Sequence, residues 1–463
     1  MKINIGSNEI IHFMGIGGIG MSGLAQIMKN TGFTVQGSDL STNKNTERLK
    51  KLGIKIYIGH SKKNIENATM LVLSSAIKSN NKELIASKKK KLPIFKRGEM
   101  LANIVSLKKN IVVTGSHGKT TTTSLVANIL VEAGLDPTVI NGGIINSLKN
   151  TAHLGKGEWC VVEADESDGS FLKLPITYSI VTNLDKEHLE YYGNFNNLKK
   201  SFISFLDKTP AIGKSLICID NNNLKRICNK SKKNFFLTYG FNKNANYEIV
   251  NIIKKKNYSI FDLKLNLIGK RVRIKNIKVN LLGDHNITNA TAAIAVALNI
   301  GIKIGKIKSA LKKFSGIQRR FTKVFSNGSK EFFDDYAHHP TEIKAVINGA
   351  RQVNKKRKII CVFQPHRYSR VKSLQSEFAA SFKLADAVLL CPVYSAGEKI
   401  NYRFNQYNFS KLIARKSKVQ VVNINNKKDL KNYLTKNLFD DEMVICMGAG
   451  SISNWIREVS QEI

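Results

Sequence analysis

No run of about 18 or more apolar residues occurs in the 463-residue chain, so a membrane-spanning helix is not expected. The first residues also lack a basic stretch followed by an apolar one and a small-residue cleavage site, which points to a cytoplasmic protein with no membrane insertion. Cysteine is scarce. The six, Cys160, Cys218, Cys228, Cys361, Cys391 and Cys446, form no CxxC pair, and several lie inside apolar runs, as reduced core thiols do. Acids are few too, 34 against 73 lysines and arginines, for a formal net charge of +39. Such a surplus attracts phosphate backbones without regard to sequence. Here the lysines are spread along the chain beside Asn and Ile, as in NIIKKKNYSI, with no interleaved aromatics and no helix-turn-helix or RNA-binding signature. A specific nucleic-acid partner is therefore not expected.

What is present is phosphate chemistry. The length suggests roughly three domains. In VVTGSHGKTTTTSLVANIL, residues 112–130, an apolar strand pattern runs into a glycine-flanked loop and then a helix pattern with the apolar stripe Leu125, Ile129, Leu130. A helix N-terminus offers unpaired N–H groups and the positive end of its dipole, and glycines let a polyanion approach the backbone. Lys119 suits the β- and γ-phosphates, and the Thr120 hydroxyl suits one coordination position on Mg²⁺. The signature GxxxxGK[ST] is half met, with Val113 at the first glycine position and the glycines at Gly115 and Gly118.

About a hundred residues earlier, EIIHFMGIGGIGMSGLAQIMKNTG gives strand, Gly15-x-Gly17-x-x-Gly20 and helix, with Asp39 following a second strand. Taken alone this fingerprint fits a nicotinamide-dependent dehydrogenase, which leaves the second phosphate loop unexplained. Two more apolar strands end in chemistry: WCVVEADESDGSF in Glu163, Asp165, Glu166 and Asp168, and SIVTNLDKEHLEYYG in Asn183, Asp185 and His188. Ligands of parallel α/β sheets gather beyond the carboxyl ends of strands, so these groups are expected to converge on the phosphate loop, with carboxylate and imidazole available to metal ions. Residues 244–282 switch to alternation, which predicts a few antiparallel strands hung on the parallel sheet, and GDHNITNATAAIAVALNIG reads as a capped helix. From about Phe321 strands and helices alternate again. Two of the turns are loaded: Asp334, Asp335, Tyr336, His338 and His339 in one, His366, Arg367 and Arg370 in the other.

With the motifs GIGGIGMSGLA, SSAI, GSHGKTTTT, EADESDGSFL, TNLDKEHLEYYG, GDHNITNA, GIQRRF, DDYAHHPTE, FQPHRYSR and GAGSI in this order, the chain resembles the Mur ligase family over essentially its whole length. The resemblance implies an α/β protein of three domains: an N-terminal Rossmann-like UDP-sugar domain (residues 1–107), a central P-loop ATPase domain with a mixed sheet (108–320) and a C-terminal Rossmann-like domain (321–463). It implies an ATP-dependent ligase joining L-alanine to the carboxylate of UDP-N-acetylmuramate through an acyl phosphate, in peptidoglycan precursor synthesis. The alternative is a recycling ligase that attaches a peptide to the same sugar acid. Carried over residue by residue, Gly15, Gly17, Gly18, Gly20, Asp39 and Ser74 meet the UDP-sugar. Gly115, Ser116, His117, Gly118, Lys119, Thr120 and Thr121, with Asn286, Asn289, Arg319 and Arg320, meet ATP. Thr120, Glu163 and His188 ligate two Mg²⁺ ions, with Mn²⁺ as the alternative metal. Tyr336, His338, His339, His366, Arg367 and Arg370 face the amino acid and the lactyl carboxylate, and the catalytic set is Lys119, Glu163, His188, Arg320 and Asp335. Several relatives carry a carbamylated lysine near the position of Lys199 and Lys200, a question left open here, as is the choice between monomer and homodimer.

Overall fold

The computed structural model describes residues 9–106, 108–147, 150–228, 236–267, 269–399, 401 and 404–462. Two compact units are present. The first comprises residues 1–251, 261–277 and 288–315, and the second 252–260, 278–287 and 316–463.

The first unit holds an all-parallel five-stranded sheet in the order Lys55–Ile58, Thr34–Asp39, Ile10–Met14, Met70–Leu73, Ile94–Lys96. The chain leaves Ile10–Met14 to one side and later returns on the other. A crevice therefore opens beyond the carboxyl ends of Ile10–Met14 and Met70–Leu73, where Gly15 and Ser74 begin their turns. The GIGGIG turn serves as the loop into the helix Ile19–Asn30.

The ten-stranded sheet is ordered Lys270–Val279, Ser259–Leu267, Tyr247–Lys254, Phe236–Gly240, Lys214–Cys218, Tyr178–Val181, Lys109–Thr114, Trp159–Glu163, Thr138–Ile145, Asn150–His153. The apolar run NIVVT is buried on both faces, as a central parallel strand requires. Its neighbours on either side are the two strands that end in acids and in TNLD, with Val113 opposite Glu163 and Thr114 opposite Val181. Asn150–His153 runs antiparallel to Thr138–Ile145, so the sheet is mixed. The alternating segment after residue 244 forms three consecutive neighbouring strands.

In the second unit a six-stranded sheet runs Thr322–Asn327, Lys330–Asp335, Glu442–Met447, Lys358–Phe363, Ala387–Leu390, Gln420–Asn423. Only the first pair is antiparallel. Phe363, Phe378 and Phe382 pack within one face of its core. Five of the six thiols are buried and Cys228 is partly so, with none disulfide-bonded.

Beneath the first glycine loop lies a polar core that the motifs do not announce. Glu83, fully buried on the helix Lys82–Lys89, accepts from Ser38 Oγ at 2.7 Å and from Asn64 Nδ2 at 2.6 Å. His60 Nδ1 is 2.8 Å away and His12 Nε2 3.6 Å. Burial opposes its ionisation, but the hydrogen bonds from His12, Ser38, Asn64 and His60 prevail and bring it down to about 2. A carboxyl depressed below its unfolded value of about 4.3 stabilises the fold above that pH and ceases to do so as pH falls toward 2. Glu83→Ala is expected to cost about 3 kcal/mol at neutral pH, because the donors around it lose a buried acceptor. In urea unfolding the deficit relative to wild type should narrow as pH falls from about 4.3 toward about 2. A variant with an unshifted midpoint would show that the network contributes nothing.

Candidate active site

In the first unit the Gly15–Gly18 loop is shaped from below. Ser38 O accepts from Gly15 N at 2.8 Å and from Ile16 N at 3.0 Å, and Asp39 Oδ2 accepts from Gly17 N at 2.7 Å. Gly15 has φ +77°, and a Cβ there would press on Ser74 Cβ at 3.0 Å. Gly15, Gly17, Gly18, Gly20, Asp39 and Ser74 are thus brought together. The Asp39 carboxylate is engaged by the loop itself, its other oxygen taking Leu40 N at 2.8 Å. The helix Ile19–Asn30 begins at Gly18 with no side-chain cap and no acid in its first turn, so its first N–H groups suit an anion.

The second loop is held more tightly. Gly115 (φ +133°) and Gly118 (φ +81°) take up backbone that other residues resist, and a Cβ would stand 2.2 Å from Thr182 Oγ1 or 2.6 Å from Asn289 Oδ1 respectively. Asn289 therefore lies against the loop. Asn183 clamps the turn from both directions: its Oδ1 accepts from His117 N at 2.7 Å and its Nδ2 donates to His117 O at 2.9 Å. Ser116 Oγ accepts from Asp185 N at 2.8 Å, and His117 Nε2 lies 3.0 Å from Asp185 Oδ2. Gly118 caps the helix Lys119–Glu132 with backbone alone.

Lys119 Nζ donates to Gly115 O at 2.6 Å and Ser116 O at 3.2 Å, and it pairs with Glu166 at 2.9 Å. Burial works against its charge, but Glu166, Asp165 and Glu163 more than offset this and raise its pKa. Glu166 is pushed by burial up to about 7, with Lys119 pulling the other way. Thr120 Oγ1 donates to Glu163 Oε1 at 3.0 Å, and the other Glu163 oxygen takes Gly142 N at 2.6 Å. His188, at φ +54°, has Nε2 3.6 Å from Glu166 and Nδ1 3.8 Å from Glu190, and burial lowers its pKa. Glu166, Glu187 and His188 present ligand atoms within 4.8 Å of one another. Lys199 packs on the Phe195 ring at 4.4 Å.

In the second unit Asp335 is buried and spent on backbone, accepting from Phe321 N and Ala337 N, both at 2.7 Å. It thereby fixes the QRRF bend against the DYAHHP turn. Burial moves its carboxyl up to about 6. Arg319 donates to Gly448 O at 2.7 Å and lies over the Tyr336 ring at 4.7 Å, with Arg320 over the same ring at 5.3 Å. His339 caps the helix Pro340–Val353, accepting from Thr341 N. Asn286 Nδ2 donates to Leu282 O. His338 meets His366 edge to face at 5.6 Å, and Arg370 Nη1 stands 3.4 Å from His366 Nδ1. Tyr394, absent from the sequence-based set, stacks on His366 at 5.7 Å and accepts Arg367 N on its carbonyl at 2.8 Å. Asn183 and Glu166 do converge on the phosphate loop, though motif reading gives neither a role of its own, and Tyr394 is a member that motif reading leaves out. The first two stand inside quoted motifs, while for Tyr394 there was no signal beyond the strand end CPVYSAG.

Three consecutive stretches match family models: residues 10–109 the Mur ligase family catalytic domain, 113–297 the Mur ligase middle domain, and 319–450 the glutamate ligase domain of Mur ligases. The chain is 57% identical, over all of both chains, to the UDP-N-acetylmuramate–L-alanine ligase of Pelagibacter ubique. It is 44% identical to the enzyme of the same name from Parvibaculum lavamentivorans, over 98% of this chain and 92% of that one. Its fold is similar to the crystal structure of the UDP-N-acetylmuramate–alanine ligase of Thermotoga maritima, with TM-score 0.83, 28% identity and 98% of each chain covered.

Burial first, and then the positive charges of His338, Arg370, Arg367 and Arg319, drive the His366 pKa down to about 3. His366 is therefore expected to stay neutral across the physiological range. A histidine titration by NMR should show its ring signals unmoved from about pH 8 to about pH 5, while Arg370→Gln should shift the midpoint upward. A wild-type midpoint near the ordinary value of about 6.5 would contradict the packing of this cluster.

Proposed function

The chain belongs to the Mur ligase family, and from that premise we propose that it joins L-alanine to the carboxylate of UDP-N-acetylmuramate, converting ATP to ADP and phosphate, in peptidoglycan precursor synthesis. The observation that carries this reading is the presence, in one compact unit, of two glycine-loop helix N-termini of different chemistry: an uncharged one at Gly15–Gly20, and one at Gly115–Thr121 armed with Lys119 and faced by acids. The relatives at 57% and 44% identity carry the alanine ligase's name, which favours it over the peptide-attaching recycling enzyme. The solved murein peptide ligase of Psychrobacter arcticus is 22% identical and speaks for the fold alone. No helix among the described residues is long and apolar enough to cross a membrane, and we assign the reaction to the cytoplasm.

A carboxylate resists attack by an amine because its oxygen leaves poorly. Phosphorylating it makes an acyl phosphate, from which phosphate departs readily. We assign the UDP diphosphate to the Gly15–Gly20 loop and the ATP phosphates to the N–H groups of Gly115–Thr121. On binding, Lys119 exchanges its contacts with Gly115 O and Ser116 O for phosphate oxygens while Glu166 keeps its charge compensated. The hard oxygens of Thr120 and Glu163, in contact at 3.0 Å, suit Mg²⁺, and the Glu166, Glu187 and His188 group suits a second ion. Bound there, Mg²⁺ would neutralise charge on the transferred phosphoryl oxygens. Asn286, Asn289, Arg319 and Arg320 complete the ATP set, and Tyr336, His338, His339, His366, Arg367 and Arg370 the set for the amino acid and the lactyl carboxylate. A neutral His366 accepts from Arg370, and leaves that arginine's remaining N–H groups for a carboxylate. Asp335 acts by holding the QRRF and DYAHHP turns.

Phosphate release from ATP should require UDP-N-acetylmuramate and L-alanine together. With ¹⁸O in the lactyl carboxylate, one labelled oxygen per phosphate is expected by mass spectrometry. Unlabelled phosphate beside normal amide formation would exclude the acyl phosphate. Lys119→Ala should reduce turnover by at least about 10²-fold, the scale for losing one donor to transition-state charge, with UDP-sugar affinity near normal. Activity above half of wild type would remove Lys119 from the mechanism.

A further inference from the structure

Arg97 belongs to none of the motifs, yet it touches both loops' surroundings. It is the first residue of the helix Arg97–Val105, at the carboxyl end of the strand Ile94–Lys96. Its guanidinium hangs over the start of the helix Ile19–Asn30: a Cβ at Gly20 would meet Arg97 Nη1 at 3.0 Å. On its other side Nη2 stands 3.7 Å from Asp165 and 3.9 Å from Asp168, in the acidic turn whose Glu163 and Glu166 grip Thr120 and Lys119. We propose that Arg97 couples the two substrate loops, exchanging Asp165 and Asp168 for the diphosphate of the nucleotide sugar and so linking occupancy of the Gly15–Gly20 loop to the charge balance around Lys119. The proposal rests on the reading that this loop takes the diphosphate.

Three observations support it. The pairs with Asp165 and Asp168 are longer than hydrogen bonds and partly exposed, with side-chain exposures of 21%, 44% and 29% for the three residues, so they are weak and easily given up. A planar guanidinium at an uncapped helix N-terminus is the group that binds phosphate oxygens in pairs. And the helix that carries Arg97 is fixed to the acidic turn, so a shift of one is felt by the other. A Cβ at Gly98 would stand 2.5 Å from Ser170 Cβ, and Glu99 pairs with Lys173 at 2.5 Å. Asp165 stands in the turn whose Glu166 pairs with Lys119 at 2.9 Å, so withdrawing Arg97 from Asp165 changes the charge beside that lysine.

The rival is a clip that merely holds helix to turn. Calorimetric titration of the full chain with UDP-N-acetylmuramate, alone and with a saturating non-hydrolysable ATP analogue, separates the two. Wild type is expected to show affinities differing by about fivefold or more between the two conditions. Arg97→Ala should weaken the sugar nucleotide about tenfold and bring the two affinities together, leaving ATP-analogue binding on its own unchanged. Lys173→Ala, which removes one of the ties between helix and turn, should reduce the coupling while keeping the sugar-nucleotide affinity. Arg97→Lys serves where the alanine variant does not fold, and should retain part of the affinity. Unchanged affinity and coupling in Arg97→Ala, with or without a lower unfolding temperature, or a wild type that binds both ligands without coupling, would overturn the proposal. Wild type failing to bind UDP-N-acetylmuramate at all would instead refute the assignment of the loop, and the proposal with it.

Discussion

The Lys119 ammonium is the constraint on which the central part of the molecule depends. It sits at the positive end of the helix Lys119–Glu132, largely buried, with two carbonyls of its own loop and one carboxylate as partners. Placing a cation there is unfavourable twice over, through lost hydration and through the dipole. Acids within a few ångströms are what make the arrangement stable. That requires the strand ending in EADESD to lie beside the strand ending in the loop, and the register sets Glu163 level with Val113. On the opposite side the strand ending in TNLD must be the neighbour, because Asn183 and Asp185 supply the hydrogen bonds that shape Ser116 and His117. The order of strands around Lys109–Thr114 is thus the order the loop's chemistry needs.

The same logic explains where glycine is indispensable. Gly115 and Gly118 adopt positive φ while facing Thr182 and Asn289, so a side chain would be strained by its backbone and obstructed by its neighbours. The loop's shortness, with valine at the usual first glycine position, follows from this packing: Val113 is a fully buried strand residue, and the turn starts only after Thr114.

Much of this was legible in the sequence where chemistry and shape are specified within a dozen residues. Gly15, Gly17, Lys119, Thr120 and Glu163 stand at strand ends in runs whose apolar pattern is unambiguous, and the rule that ligands gather at carboxyl ends of parallel strands does the rest. What escaped were partnerships between distant segments. Glu83 with His12 and His60, Asn183 with His117, and Arg97 with Asp165 join residues tens of positions apart, and no local periodicity encodes which polar side chain meets which. Asp335 shows the converse case. The resemblance implies a catalytic role for it, and in the structure both its oxygens accept from backbone N–H groups, a use that residue type alone does not reveal.

The contrast between the two anion loops bears on why one protein keeps both. Each offers backbone N–H groups at a helix N-terminus, but the first has no lysine, and the cation beside Gly20 is an arginine shared with two aspartates. Under the proposed assignment, backbone dipoles and a delocalised guanidinium suit a diphosphate that only has to stay in place. A transferred phosphoryl group gathers charge on its outer oxygens as its bond breaks, and there a mobile point charge and hard oxygen ligands are required. Lys119, Thr120 and Glu163 provide them, and Glu166 balances the lysine when no phosphate is near. One loop is built for holding and the other for reaction. The acids beside the second compensate the Lys119 charge locally, in a chain whose overall charge of +39 attracts anions generally.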